Sequence, residues 1–385
     1  MTRIVIIAGE ASGDRLGASF ISSARQLDPE LKVEGIAGPL MRAEGCEAWF
    51  DSKDLAVMGL VEVLRHLPRI LKIRRAVIRR LRADPPDVLL GIDAPDFNLP
   101  VEKIARRAGI RTVHYVCPSV WAWRESRVKV LRAACDRILC LLPFEPEFLA
   151  RHAVQGTFVG HPLADQIPEQ ADALAARQTL GIESGPVVGL LPGSRVSEVD
   201  RIGPTMVDAA GWLAARTEGV RFVVPAATPE LRAKIQAQFT ARAPQLTVDI
   251  LDGQAHRAIA ASDVVMVVSG TATLEVMLSG RPMVVAYRMA PVSYTIARFL
   301  NAIGLVTTQF ISLPNLLAGR RLVPELIQGE ATAEAIGREV EHWLTATEER
   351  EALLTEFRRL HETLRCSAGE RSARTVLELV GNNDH

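Results

Sequence analysis

The residues able to do chemistry are concentrated in a few short turns. In Pro186–Val199, PVVGLLPGSRVSEV, an apolar run leads into Gly193, Ser194 and Arg195, with Glu198 close behind. A small-residue turn at a helix start leaves backbone N–H groups free, and the helix dipole adds partial positive charge there. Arg195 adds a full charge, which makes the turn suited to a diphosphate. Ser194 is the expected cap of the following helix. In VVSGTATLE, Ser269, Gly270, Thr271 and Thr273 offer hydroxyl and backbone donors. Glu275 stands one turn further on, where a carboxylate can hold the two hydroxyls of a ribose. Near the N-terminus, GEASGD carries Glu10, Ser12 and Asp14, which can hydrogen-bond sugar hydroxyls; Ser12 or Asp14 can equally cap a helix. Asp93 closes the apolar run DVLLGID, and an acid at the carboxyl end of a parallel strand is a candidate general base. Asp96, three residues on, is a candidate cap or orienter. Trp121 and Trp123 can form a sugar or acyl platform or pack in a core. His161, in a Gly-His-Pro turn, is read as structural or ligand-orienting.

These turns need a scaffold, and the apolar runs supply it. Strands are expected at Arg3–Ala8, Val33–Ala37, Asp87–Asp93, Thr112–Val116, Arg137–Leu142 and Thr157–Val159. A second series follows at Val187–Leu191, Arg221–Val224, Thr247–Ile250, Val264–Val268 and Met283–Ala286. Helical segments fill the gaps, and that alternation predicts parallel doubly wound sheets. The expected fold is α/β, two Rossmann-like domains facing a cleft, with helices at the C-terminus. The boundaries read as 1–165, a linker 166–185, 186–330 and C-terminal helices 331–385. GEASGD lacks the spacing of G-x-G-x-x-G, so a dinucleotide cofactor is not indicated.

Composition narrows the classes further. The 385 residues carry 45 basic and 45 acidic side chains, 48% hydrophobic content and 23% charge, values of a globular protein whose net charge names no partner. The cysteines, Cys46, Cys117, Cys135, Cys140 and Cys366, lack metal-ligand spacing and read as free thiols of a reducing compartment. No metal is expected. The N-terminal strand reads as neither signal peptide nor membrane span. Local charge says more. Val57–Arg82 joins an apolar stretch to a basic amphipathic helix with Arg65, Arg69, Lys72, Arg74, Arg75, Arg79, Arg80 and Arg82. Leu67, Ile70, Leu71, Val77, Ile78 and Leu81 recur along another face. A solvated surface helix is one reading; a surface for anionic lipid is the other. Nucleic acid is disfavoured, because no aromatic residues interleave with the cations.

Taken in order, GEASGD, GIDAPDFN, PSVWAWR, FEPEF, FVGHPLAD, LLPGSR, SGTATLE and SLPNLLAG resemble the lipid-A-disaccharide synthase family, over about Val5 to Leu317. The resemblance implies a two-domain glycosyltransferase of the GT-B kind, cytoplasmic and peripheral on the inner membrane. It would join UDP-2,3-diacylglucosamine to 2,3-diacylglucosamine 1-phosphate with inversion, giving a β-1,6 disaccharide and UDP. By motif, Asp93 is then the base for the acceptor 6-hydroxyl, and Glu10 and Ser12 match polar residues of the first turn. Arg195 and Asn315 match residues the family needs, and Gly193, Ser194, Ser269, Gly270, Thr271 and Glu275 fall where the UDP moiety is expected. A homodimer exchanging C-terminal segments is also implied. Two positions depart from the pattern: Cys117 stands in place of serine, and Thr307 in place of an expected lysine. Rival readings are another UDP-sugar enzyme such as a UDP-GlcNAc 2-epimerase, the muramyl-pentapeptide N-acetylglucosaminyltransferase, and a non-catalytic binding module.

Overall fold

The computed structural model describes residues 1–55, 60–122, 127–169, 172–290 and 309–381. Trp123 and Thr307 lie outside the described residues, as do residues 56–59 of the lipid-facing reading. The chain forms two compact units, Met1–Asp165 with Leu364–His385, and Gln166–Thr363.

In the first unit the strands are β1 (Arg3–Ala8), β2 (Lys32–Ala37), β3 (Glu47–Asp51), β4 (Val88–Ile92), β5 (Arg111–Tyr115), β6 (Arg137–Cys140) and β7 (Gly156–Phe158). All pairs are parallel, in the order β3-β2-β1-β4-β5-β6-β7. Strand order therefore reverses between β1 and β4, where open sheets leave a crevice. The central strands β1 and β4 are buried apolar runs because helices cover both faces. Helix α1 (Ala11–Leu27) and the C-terminal helix Ala368–Gly381 cover one face, with Phe20, Ile21 and Val376 buried among Ile4, Ile6 and Leu90. Helices α2 (Pro39–Ala43), α3 (Leu60–Ala83) and α4 (Pro95–Arg107) follow in chain order. α3 and α4 cover the other face, where Ile73, Val77 and Leu81 pack with Phe97 and Val101 against Val5, Ile7 and Leu89.

The second unit holds β8 (Val187–Leu191), β9 (Arg221–Ala226), β10 (Val248–Asp252), β11 (Val264–Val267), β12 (Met283–Tyr287) and β13 (Glu325–Ile327). They are parallel in the order β10-β9-β8-β11-β12-β13, reversing between β8 and β11. Helix Val196–Ala214 starts at the end of β8 and helix Thr271–Leu278 just after β11.

Four sequence expectations shift. β3 and β13 went unread, because both are edge strands whose residues are only half-buried. α4 starts at Pro95 rather than near Leu99, proline being suited to a first helical position. Along α3, Val77 and Leu81 face the core and not a lipid surface, while Lys72, Arg75, Arg79 and Arg82 are exposed. Finally, residues 364–385 belong with the first unit. Asp165 accepts from the Ser367 and Ala368 N–H groups (3.0 and 2.7 Å), and α1 packs against the last helix.

Candidate functional site

Two groups of residues gather at the carboxyl ends of the two sheets, one in each unit. In the first, β1 is followed by Gly9 and by Glu10, the extended N-cap of α1 (φ −146°, ψ 168°). Glu10 and Ser12 are exposed. Asp14 is not: it is 2% exposed and turned inward, accepting from the N–H groups of Gly38, Leu40 and Met41, each at 3.0 Å. It anchors the start of α2 and is buried away from any sugar. Asp93 follows β4 in a left-handed conformation (φ 50°), as does Ala94 (φ 44°). A Cβ on Gly9 would lie 3.0 Å from that of Ala94, so the turns bearing Glu10 and Asp93 are packed against each other. Asp96 does not orient Asp93; it is exposed and pairs with Arg127 at 3.4 Å.

Further along this edge, Trp121 Nε1 donates to Glu145 Oε1 (3.1 Å), its ring edge-on to Phe144 with centroids 5.0 Å apart. Trp121 thus closes over a buried carboxyl. The Leu142 N–H donates to Glu145 Oε2 (3.0 Å), yet burial pushes the acid up to about 7. A folded pKa above the ordinary 4.5 means the folded protein holds the extra proton between those values. The associated stability is complete below about pH 4.5 and is lost as pH rises through 7, a difference worth roughly 3 kcal/mol. Melting curves should therefore show wild type losing ground to Glu145→Gln between pH 5 and 8; parallel curves would exclude a neutral buried acid. His161, partly buried, accepts from Leu163 N–H through Nδ1 (3.2 Å), and burial pushes it down to about 4, so it serves as a neutral turn residue.

The second group lines a cavity of about 560 Å3. Its walls are the Gly193–Arg195 turn, Glu198, Ser269–Ala272, Glu275, and residues that follow β9 and β10, including Gln254. Gly193 (φ 121°) and Gly270 (φ 147°) adopt conformations that glycine alone takes without strain. The helix cap differs from expectation. Arg195, not Ser194, is the N-cap, and Glu198 Oε2 accepts from the Ser194 and Arg195 N–H groups (3.1 and 3.3 Å). Glu198 Oε1 also accepts from Arg195 Nη1 (3.2 Å). The carboxylate thus occupies the donors an anion would use, and Gly193 permits it, since a Cβ there would overlap Glu198. Ser269 spends its hydroxyl proton on Ile311 O (2.7 Å) and Thr273 on Gly270 O (2.8 Å), so neither hydroxyl is a donor to a ligand.

Asn315 does not line this cavity. It is fully buried, its Nδ2 donating to Val323 O (3.0 Å) and Glu325 Oε1 (2.8 Å). Its Oδ1 accepts from the N–H groups of Leu322 (2.7 Å) and Val323 (3.0 Å). All its capacity is used inside the chain. It clamps the Ser312 turn, whose hydroxyl also donates to Glu325 (2.6 Å). Sequence reasoning missed Gln254, for which a Gly-Gln pair after a strand was the available signal, and a set of buried polar groups around Asn98 that left no signal at all.

Two parallel doubly wound sheets, with a small-residue turn and a cavity at the strand ends of the second, define the GT-B architecture. The same architecture occurs in UDP-GlcNAc 2-epimerase from Neisseria meningitidis (TM-score 0.63, 13% identity, 100% of both chains) and in CalG4, the calicheamicin glycosyltransferase (TM-score 0.61, 16% identity, 100% of both chains). The lipid-A-disaccharide synthetase family model matches residues 4–376. The lipid-A-disaccharide synthases of Azotobacter vinelandii and Xylella fastidiosa strain M12 are 51% and 48% identical to this chain, each over 98% of both sequences. The chain belongs to the lipid-A-disaccharide synthase family, a glycosyltransferase of lipid A biosynthesis.

Proposed function

We propose that the chain transfers 2,3-diacylglucosamine from its UDP donor to the 6-hydroxyl of 2,3-diacylglucosamine 1-phosphate, with inversion at C1. The observation that carries this reading is the convergence, in a member of this family, of the Gly193–Arg195 turn, the Ser269–Thr271 turn and Glu275 on one cavity. The diphosphate fits the turn and Arg195 once Glu198 yields, and the ribose hydroxyls fit Glu275. Asp93 takes the acceptor proton, and Glu10 and Ser12, exposed on the adjoining turn, hydrogen-bond the acceptor sugar. Inversion needs one displacement and one base, so no sugar–enzyme intermediate arises. Arg195 and the turn N–H groups stabilise the charge that develops on the leaving diphosphate, which gives a metal ion no required role. Asn315 contributes by positioning the Ser312 turn. The test is turnover of the two lipid sugars in detergent with a chelator present. Product that appears only with added metal would overturn the metal-free reading; UDP binding without any product would overturn the transfer itself.

We further propose that the exposed face of α3 meets an anionic membrane surface. Among the described residues no helix is long and apolar enough to cross a membrane. Lys72, Arg75, Arg79 and Arg82 are exposed on α3, and a cation near anionic headgroups contributes about 1 kcal/mol. Changing all four to Glu should lower affinity for phosphatidylglycerol vesicles by more than about tenfold in a sedimentation assay. Equal binding of the variant and wild type would remove this surface from the reading.

A further inference from the structure

Asp93 and Ala94 stand side by side in the left-handed region, a conformation that costs an L-residue roughly 1–2 kcal/mol. Such a pair persists only where the surroundings hold it. The holding bonds can be traced. Asp93 N–H donates to Tyr115 O on β5 (2.9 Å). From α4, Asn98 Nδ2 donates to Asp93 O (2.7 Å) and Ile92 O (3.2 Å), and reaches Ile7 O on β1 (3.4 Å). One fully buried amide thus ties together the ends of β1 and β4, the two strands that lead to Glu10 and Asp93.

Both bonds are backed by the same buried pair. One turn after Asn98, Glu102 Oε1 accepts from His114 Nδ1 (2.8 Å), both side chains being 0% exposed. Cys135 Sγ donates to the other Glu102 oxygen (3.4 Å). Glu102 sits on the helix that carries Asn98, and His114 precedes Tyr115, whose carbonyl holds Asp93. The pair therefore fixes α4 to β5 at the height where each contributes its bond. Gly91, opposite His114 in the sheet, makes room, because a Cβ there would overlap Glu102. Buried polar groups of this kind cost free energy unless hydrogen-bonded, and here the bonds of Asn98 go to backbone carbonyls around Asp93.

We propose that Asn98, backed by the Glu102–His114 pair, is the positioning residue that sets the direction of the Asp93 carboxylate. This rests on the reading of Asp93 as the base. The experiment is a cycle of wild type, Asn98→Ala, Asp93→Asn and the double variant, measured for kcat, donor KM, UDP affinity and melting temperature. Misplacing a base by about 1 Å can cost up to 10²-fold, so Asn98→Ala should lower kcat about 10–100-fold with KM and UDP affinity little changed. The double variant should be no slower than Asp93→Asn alone, since residues that act as a unit do not add. Additive losses, or an unchanged kcat in folded Asn98→Ala, would overturn the proposal. If Asn98→Ala fails to fold, Glu102→Gln keeps the shape and must show a smaller kcat loss with the same non-additivity; an additive loss or none counts against it. An Asp93→Asn enzyme as fast as wild type would instead sink the base reading.

Discussion

Asp93→Asn is expected to lower turnover about 10²–10⁴-fold, the usual loss when a general base is removed. Asparagine keeps the shape of the side chain and tolerates a left-handed backbone, so the loss reports chemistry and not folding. UDP affinity should be retained, because Asp93 belongs to the first unit and the anion turn to the second. The signature is a fall in kcat with donor KM nearly constant. Unchanged turnover would move the base elsewhere, with Glu10 on the neighbouring turn next in line. Loss of UDP binding together with activity would mean the substitution had damaged more than the base.

Arg195→Ala should cost about 10²–10³ in kcat, the scale found when one donor to a developing negative charge is deleted. Its side chain is 63% exposed at the cavity and pairs with Glu198 three residues on. The same geometry predicts an effect of opposite sign at Glu198. A diphosphate must displace that carboxylate from the Ser194 and Arg195 N–H groups, so Glu198→Gln, which keeps an acceptor but removes the charge, should tighten UDP binding up to about fivefold. Steady-state turnover decides the first and calorimetric titration with UDP the second. An Arg195→Ala enzyme with normal kcat would take the arginine out of the transition state, and weaker UDP binding by Glu198→Gln would make Glu198 an organiser of the turn instead of a competitor for it.

Much of this protein is written locally. Buried parallel strands read as apolar runs because both faces are covered, and eleven of the thirteen strands fall on segments the sequence marks as strands, Val187–Leu191 with Gly193–Arg195 being the clearest. The order of the motifs carried the family for the same reason: each is a short strand-to-turn-to-helix unit whose chemistry depends on close neighbours. What tertiary structure alone decided is which polar side chains are free to act. Asp14 and Asn315 read as candidates for hydrogen bonds to ligand or as functional polar residues, and both proved to be spent on the chain itself, on backbone at Gly38–Met41 and at Leu322–Val323. Ser194 yielded the N-cap position to Arg195, and Glu198 turned an open anion turn into an occupied one. The last helix, Ala368–Gly381, looks in sequence like the continuation of the helices before it, yet it packs against α1 from the far end of the chain. Asn98 gave no signal because what it joins is distant in the chain: Asp93 O and Ile92 O lie close before it, but Ile7 O is 91 residues away. Hydrogen bonds that close over long loops leave no periodicity or spacing to read; the residue types are set by sequence, and their partners exist only once the sheet has brought β1, β4 and β5 side by side.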